Sequence, residues 1–214
     1  MRFVSKETFS HKYLTTTKIV GNMKDKLVRS AFLDSLKLDP INLVVATQVH
    51  STNVRIVDAS NKGAVVDDCD GMITTNKELM LGIYTADCVP LLVSAENEEL
   101  KAAVHVGWRG LYDGIIENTF ELLKDGFCVN LGKVKVFIGP HIRSCCYEVN
   151  REVKDKFGTK LNDKLDLSEI ICSKLSKFGI TDIFDVKLCT FHMEDLFFSY
   201  RRTKCVERIM SVIM

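Results

Sequence analysis

No apolar run in this sequence approaches the length of a membrane span, and neither a block of like charge nor a Ser/Gly tract interrupts it. The first absence argues against a transmembrane helix, which needs about 20 consecutive apolar residues. Charge of one sign is also lacking: 29 Lys and Arg face 28 Asp and Glu, which leaves no electrostatic footprint for nucleic acid or an anionic membrane. With three prolines and no linker-like composition, residues 1–214 are expected to form one domain. The N-terminal Met1-Arg2-Phe3-Val4-Ser5-Lys6 lacks the apolar core of a signal peptide. Paired C-x-x-C units are missing among the eight unevenly spaced cysteines. That fits reduced thiols better than a disulfide framework, so a cytoplasmic location is expected. No pattern in the chain sets an oligomeric state.

What is present is organised around Lys101 to Thr119. Lys101–Val106 is a short Ala- and Val-rich run that reads as a buried strand. Gly107 and Gly110 punctuate the chain, and Leu111, Ile115, Ile116, Phe120 and Leu123 then recur at helical spacing. A strand therefore feeds a glycine turn that opens a helix, a place where backbone N–H groups can receive an anion. Arg109 stands in that turn with a fork of donors suited to phosphate or carboxylate. His105 ends the strand beside it.

In chain order, Met1–Thr17 reads as one edge strand. Met23, Leu27, Ala31, Phe32 and Leu36 form a helical stripe ending before Asp39-Pro40. Asn42–Val49 is a buried strand delivering His50, and Asn53–Val57 is expected to pair with it. Lys62–Asp70 reads as a loop. Leu79–Thr85 and Val89–Ser94 are strand-length apolar runs flanking Ala86-Asp87-Cys88, and Lys133–Ile138 is a β-branched strand closed by Gly139-Pro140. Asn150 caps a helix that stops at Gly158. Asp166 and Glu169 form a capping box for a helix ended by Gly179, and Asp182–Leu188 is a late strand.

Three strand ends carry good transition-metal ligands: His50, Cys88 and His105. Two imidazoles and a thiolate match the protein share of a catalytic zinc site that leaves one position open. Asp87 is placed to orient an imidazole, to shuttle protons, or simply to accept backbone N–H bonds in a turn. Cys88 with His105 equally makes a thiolate–imidazole nucleophile pair of a hydrolase. A non-enzymatic binding module clipped by a metal would want a fourth ligand from Cys145, Cys146 or His141. Cys69, Cys128, Cys172, Cys189 and Cys205 read as thiols without a role, and His11 and His192 as surface or hydrogen-bonded histidines.

Five segments stand in one order: Gln48-Val49-His50, Thr85-Ala86-Asp87-Cys88-Val89-Pro90, His105-x-Gly107-Trp108-Arg109-Gly110, Ile138-Gly139-Pro140 and Cys146-Tyr147-Glu148-Val149. Together they closely resemble the laccase-domain family (YfiH/YlmD-like), long labelled multicopper polyphenol oxidase. Asp70-Gly71 with Thr74 and Ser199-Tyr200-Arg201-Arg202 also look like family segments. The resemblance implies a single α+β domain with central mixed sheets layered by helices, and His50, Cys88 and His105 as ligands of Zn2+. It further implies a purine nucleoside phosphorylase acting on purine nucleosides and phosphate, with adenosine deaminase and methylthioadenosine phosphorylase activities beside it. Arg109, Asp87 and His141 are the expected catalytic groups, and Gln48, Gly107, Gly110, Glu148 and Arg201 the expected substrate contacts. The chain departs from the family pattern at Thr15–Asn22 and at Val206-Glu207-Arg208, which stands where Thr-Gly-Arg is usual. Copper can occupy a His-His-Cys site in vitro. An oxygen-reducing copper cluster would need several further imidazoles, and only His11, His141 and His192 remain.

Overall fold

The computed structural model describes residues 1–7, 11–95, 99–160 and 164–214. Its strands form two six-stranded mixed sheets. The first runs β1 (Phe3–Glu7), β2 (Lys12–Thr16), β12 (Ile209–Ile213), β7 (Met80–Thr85), β3 (Leu43–Ala46), β5 (Val65–Val66). The second runs β11 (Asp182–Asp185), β10 (Val134–Ile138), β8 (Val89–Ala95), β9 (Leu100–Val106), β6 (Gly71–Thr74), β4 (Val54–Ile56). β3 pairs parallel with β5 and β7, β4 with β6, and β10 with β11; the other pairings are antiparallel.

The sheets pack face to face with helices outside both, giving an α/β/β/α layering. Alternate residues of each central strand point to opposite faces, and both faces are covered. In β7, Leu81 and Ile83 meet Leu92 of β8 and Ala103 of β9 between the sheets. Met80 and Tyr84 face outward, with Phe32 and Leu33 of α1 (Lys26–Ser35). On the far side, Val89, Leu91, Val104, Val106 and Val136 pack under α2 (Trp108–Asp113), α3 (Ile115–Glu121) and α5 (Leu167–Lys177). Burial on both faces is why these strands read as continuous apolar runs rather than as alternation. No described helix is long and apolar enough to cross a membrane.

Several expectations are corrected. Two strands, not one, occupy the N-terminal region, and β1 is the edge. Of the stripe expected around α1, Met23, Phe32 and Leu36 join the core, together with Val28 and Leu33, whereas Leu27 (81% exposed) and Ala31 face solvent. The Asn53–Val57 strand pairs with β6 in the second sheet, since the chain crosses between sheets after β3. The Lys62–Asp70 loop contains β5. The expected single helix after Gly107 is broken at Gly114, whose φ of +107° lies in the left-handed region. β12, for which the terminal apolar run was the available signal, is central in the first sheet between β2 and β7. Asn150 and Asp166 do cap their helices, α4 (Arg151–Phe157) and α5, through bonds from Val153 N–H and Glu169 N–H.

Phe137 of β10 stacks between Tyr13 and Phe184, with ring centroids 5.4 and 5.9 Å away, and joins the core between the sheets. Phe137→Ala should lower unfolding free energy by about 3–5 kcal/mol. The check is a shifted urea midpoint at constant denaturant slope; an unshifted midpoint would contradict this packing role.

Candidate active site

β3 and β7 run parallel in the first sheet, and at their carboxyl ends the chain crosses twice to the second sheet, through Thr47–Asn53 and through Ala86-Asp87-Cys88. The first crossing carries His50 and the second Cys88. His105, near the end of β9 opposite Pro90, reaches the same point from the second sheet. The three ligand atoms lie within 4.8 Å of one another, with His50 Nε2 3.8 Å from Cys88 Sγ. The two imidazole rings meet edge to face at 4.8 Å between centroids. Gly107 permits this approach: a Cβ there would stand 2.9 Å from His50 Cδ2 and 3.3 Å from Cys88 Sγ. At Gly110 a Cβ would stand 2.9 Å from the Ser51 carbonyl oxygen. Both glycines thus serve close packing of α2 against the His50 crossing.

The residue that orders the site is Asp70, which chain order marked only as the end of a loop and the resemblance only as part of a family segment. Its fully buried carboxylate accepts the N–H groups of Val49, His50 and Ser51 at 3.2, 3.0 and 2.7 Å and the Ser51 hydroxyl at 2.9 Å. These bonds hold His50 at φ +63°, in the left-handed region. Asp70 Oδ1 also lies 2.7 Å from His105 Nδ1. An ionised carboxylate only accepts, so Nδ1 carries the proton. That leaves Nε2 to face Cys88, whose Sγ lies within 4.8 Å of the His105 ligand atom.

Charge follows this geometry. Burial works against ionising Asp70, but the bonds from His105 and Ser51 hold its pKa down at about 2. Burial also disfavours imidazolium at His105, yet Cys88 and Asp70 raise its pKa to about 9. Burial would raise the Cys88 thiol, and the two histidines instead bring it down to about 6. Two imidazoles and a thiolate that ionises near neutrality are a donor set suited to zinc. Among the described residues no fourth His, Cys, Asp or Glu joins them. The clip reading therefore lacks its fourth ligand: Cys145 and Cys146 lie in a different cluster.

The triad opens into a cavity of about 650 Å³, within the usual range for small-ligand sites. Lys24, Arg29, Arg109, Arg201, Lys204 and Arg208 line it, against one carboxylate, Asp87. None of these six cations forms an ion pair among the described residues. Tyr84, Trp108, Tyr147 and Tyr200 supply aromatic surface. Arg109 lies over Trp108, 4.5 Å from the ring centroid. Of the two segments that depart from the family pattern, the second supplies Arg208 to the wall.

The other expected site residues divide. Gln48 lines the cavity, but its amide is spent on the main chain of Tyr84, giving to the carbonyl at 2.7 Å and accepting the N–H at 2.8 Å. Asp87 does not orient an imidazole. At φ +99° it accepts from the Thr190 hydroxyl at 2.7 Å and the Arg201 N–H at 2.6 Å, so it ties a turn and seats Arg201. The Arg201 guanidinium gives to the Glu148 carbonyl at 2.5 Å and lies over Tyr147. Glu148 and His141 are not among the residues that line the cavity. The Glu148 carboxylate points to Lys164 at 3.7 Å. His141 is fully buried because the chain after Gly139-Pro140 bridges to Cys189 instead of looping outward. Its Nδ1 gives to the Gly139 carbonyl at 2.8 Å and its Nε2 faces Arg143 at 3.3 Å. Burial, against the Gly139 bond and with help from Arg143, pushes its pKa down to about 4.

Asp70→Asn keeps the shape but removes the charge that holds the His105 proton. Metal affinity should fall about 10- to 100-fold in a chelator competition. In metal-free protein the thiolate form of Cys88 appears as pH rises through about 6. Alkylation by iodoacetamide should therefore lose rate as pH falls through that value, and Asp70→Asn should move the midpoint upward. Affinity and midpoint both unchanged would remove Asp70 from the metal centre.

The comparisons with known proteins bear on this site. A protein of Clostridium acetobutylicum named purine nucleoside phosphorylase is 35% identical over 156 residues, which is 68% of this chain and 66% of that protein. The chain thus spans a little under two thirds of that relative's length. One of Haemophilus influenzae with the same name is 30% identical over 212 residues, covering 91% of this chain and 83% of the relative. The crystal structure of the hypothetical protein YfiH from Bacillus licheniformis superimposes with a TM-score of 0.88 at 26% identity, over 95% of this chain and 92% of that one. The family described as multi-copper polyphenol oxidoreductase laccase matches residues 12–214, and the chain belongs to that family, the YfiH family.

Proposed function

We propose that this chain is a zinc-dependent purine nucleoside phosphorylase, splitting inosine- or adenosine-type nucleosides into free base and ribose 1-phosphate. The observation that carries the reading is that His50, Cys88 and His105 share one cavity with six cations that form no ion pairs among the described residues and with four aromatic rings. An oxyanion, a flat heterocycle and a Lewis-acid site are what phosphorolysis of a nucleoside requires together. The relatives named purine nucleoside phosphorylase support the same class.

In the reaction a phosphate oxygen bonds to C1′ of the ribose, the C1′–N9 bond breaks, and its electron pair leaves with the purine. Arg109, with its planar fork, holds the phosphate below the anomeric carbon, aided by the charge of Lys204 and Arg208. Arg201 seats the ligand from the position that Asp87 fixes through the main chain. Trp108 and Tyr147 flank the base. His50, Cys88 and His105 would hold the zinc, which when bound would supply a Lewis acid for a purine heteroatom. Asp70 keeps His105 in the ligating tautomer. Because His141 and Glu148 are not part of the cavity wall, proton delivery to the base is assigned to water in the cavity.

A metal held by His50, Cys88 and His105 would also supply the Lewis acid that adenosine deamination needs, as a side activity. Val45, Ala46 and Val65 give an apolar patch that suits the 5′-methylthio group of methylthioadenosine. Eight free thiols go with a reducing compartment and a cytoplasmic location. The second reading is phenol oxidation by copper, since His50, His105 and Cys88 are also a donor set that copper takes. It ranks lower because the other ligand cluster among the described residues contains one imidazole, too few for an oxygen-reducing copper site.

Metal-analysed protein incubated with inosine should release hypoxanthine only when phosphate is present. Arg109→Lys keeps the charge and loses the fork, so kcat/KM should fall about 10- to 100-fold with metal content unchanged. Cys88→Ala should abolish both zinc binding and turnover while the far-ultraviolet circular dichroism persists. Unchanged kinetics in Arg109→Lys would make that arginine a surface group; full zinc occupancy in Cys88→Ala would overturn the ligand assignment.

A further inference from the structure

A second group of ligand side chains lies outside the residues that line the cavity. Cys145 and Cys146 sit in the turn that follows Arg143, and Cys189 and His192 in the segment after β11. The two stretches are zipped by main-chain bonds. His141 N–H gives to the Leu188 carbonyl at 3.2 Å, and Thr190 N–H to the His141 carbonyl at 3.0 Å. Four donor atoms then converge: three sulfurs and the His192 ring nitrogen lie within 4.8 Å of one another. The sulfurs of Cys145 and Cys146 are 3.4 Å apart, and His192 Nδ1 is 3.6 and 3.4 Å from them.

We propose that Cys145, Cys146, Cys189 and His192 form a closed, structural site for a tetrahedral divalent cation of the zinc class, separate from the His50–Cys88–His105 centre. With zinc at about 2.3 Å from sulfur and about 2.0–2.1 Å from nitrogen, tetrahedral edges are about 3.8 Å between sulfurs and about 3.6 Å from sulfur to nitrogen. The three separations fall within a few tenths of an ångström of those edges. A bond between two sulfurs would account for two of the four members and leave no reason for the imidazole to face both remaining edges. Four protein ligands close the sphere, the signature of a structural rather than a catalytic site. The Arg143 N–H points at Cys189 Sγ at 3.5 Å. Such a donor orients and stabilises a ligating thiolate from outside the coordination sphere.

The site has a structural consequence for the cavity. Cys146 immediately precedes Tyr147, which forms cavity wall and carries Arg201 on its face. Cys189 immediately precedes Thr190, whose hydroxyl holds Asp87. A metal joining the two turns therefore fixes the wall on which Arg201 is seated.

The test is metal stoichiometry on the full chain, purified under reductant and titrated with Zn2+ and then Co2+. The intact protein should bind two ions per chain. Cys88→Ala should retain one, and Cys145→Ser combined with Cys189→Ser should retain the other. In Cys88→Ala the remaining Co2+ should show thiolate-to-metal charge transfer of a three-thiolate tetrahedral site, and zinc should protect Cys145, Cys146 and Cys189 from alkylation. If the double variant fails to fold, the two-ion stoichiometry of the intact protein and the cobalt spectrum of Cys88→Ala decide alone. One ion per chain in the intact protein, lost in Cys88→Ala, overturns the proposal; so does a disulfide among these three cysteines in protein kept reduced and zinc-saturated.

Discussion

The buried carboxylate of Asp70 is the constraint on which the site depends. It receives three successive backbone N–H groups, a hydroxyl and an imidazole N–H. Burying an ionised carboxylate is costly unless its lone pairs are filled by good donors. Five donors meet that condition, and charge-assisted bonds of this kind are the stronger ones. The same bonds fix both histidines at once. The Val49–Ser51 bonds hold His50 in a backbone conformation that a non-glycine residue rarely adopts, and the His105 bond sets which nitrogen that ring presents to Cys88. One carboxylate thus couples a candidate ligand from a crossing loop to a candidate ligand from a strand in the second sheet.

The layered sheets make that coupling geometrically available. Parallel β3 and β7 end side by side, and the chain leaves both for the second sheet at the same edge of the sandwich. Each crossing needs a sharp turn, and each has a non-glycine residue at positive φ: His50 at +63° and Asp87 at +99°. Each is held by side-chain bonds from or to distant residues, Asp70 for the first and Thr190 with Arg201 for the second. Strain of this sort persists where the surroundings over-determine it, and it clusters at functional sites. Between the two turns lies the cationic cavity, with α2 closing in on the His50 crossing because Gly107 and Gly110 have no side chains.

Local chemistry was legible in the sequence, and distant partnership was not. The apolar runs of β7, β8 and β9 announced buried strands because both their faces are covered. Asn150 and Asp166 announced helix starts because a cap acts within three residues. His50, Cys88 and His105 stood out as ligand types at strand ends, although their meeting depends on two sheet crossings that no local pattern encodes. Asp70 was hidden because its partner His105 is 35 residues away, and a lone aspartate before a glycine reads as a turn. Gln48 and Asp87 have the right chemistry for a substrate or proton role, yet their polar atoms are committed to the Tyr84 main chain and to Thr190 and Arg201. His141 follows Gly-Pro and so reads as a loop residue; a bridge to Cys189 buries it. Cys189 reads singly as a thiol without a role and His192 as a surface or hydrogen-bonded histidine, because their convergence with Cys145 and Cys146 exists only once the two turns fold together.

The central claim is that phosphate itself attacks the nucleoside inside the cavity that holds the triad. The most direct measurement is the mass of the sugar product formed from inosine and phosphate labelled with oxygen-18 at all four positions. The account predicts ribose 1-phosphate carrying all four labelled oxygens, one of them now bridging phosphorus to C1′. Free ribose with hypoxanthine, or a sugar phosphate whose bridging oxygen is unlabelled, would contradict it.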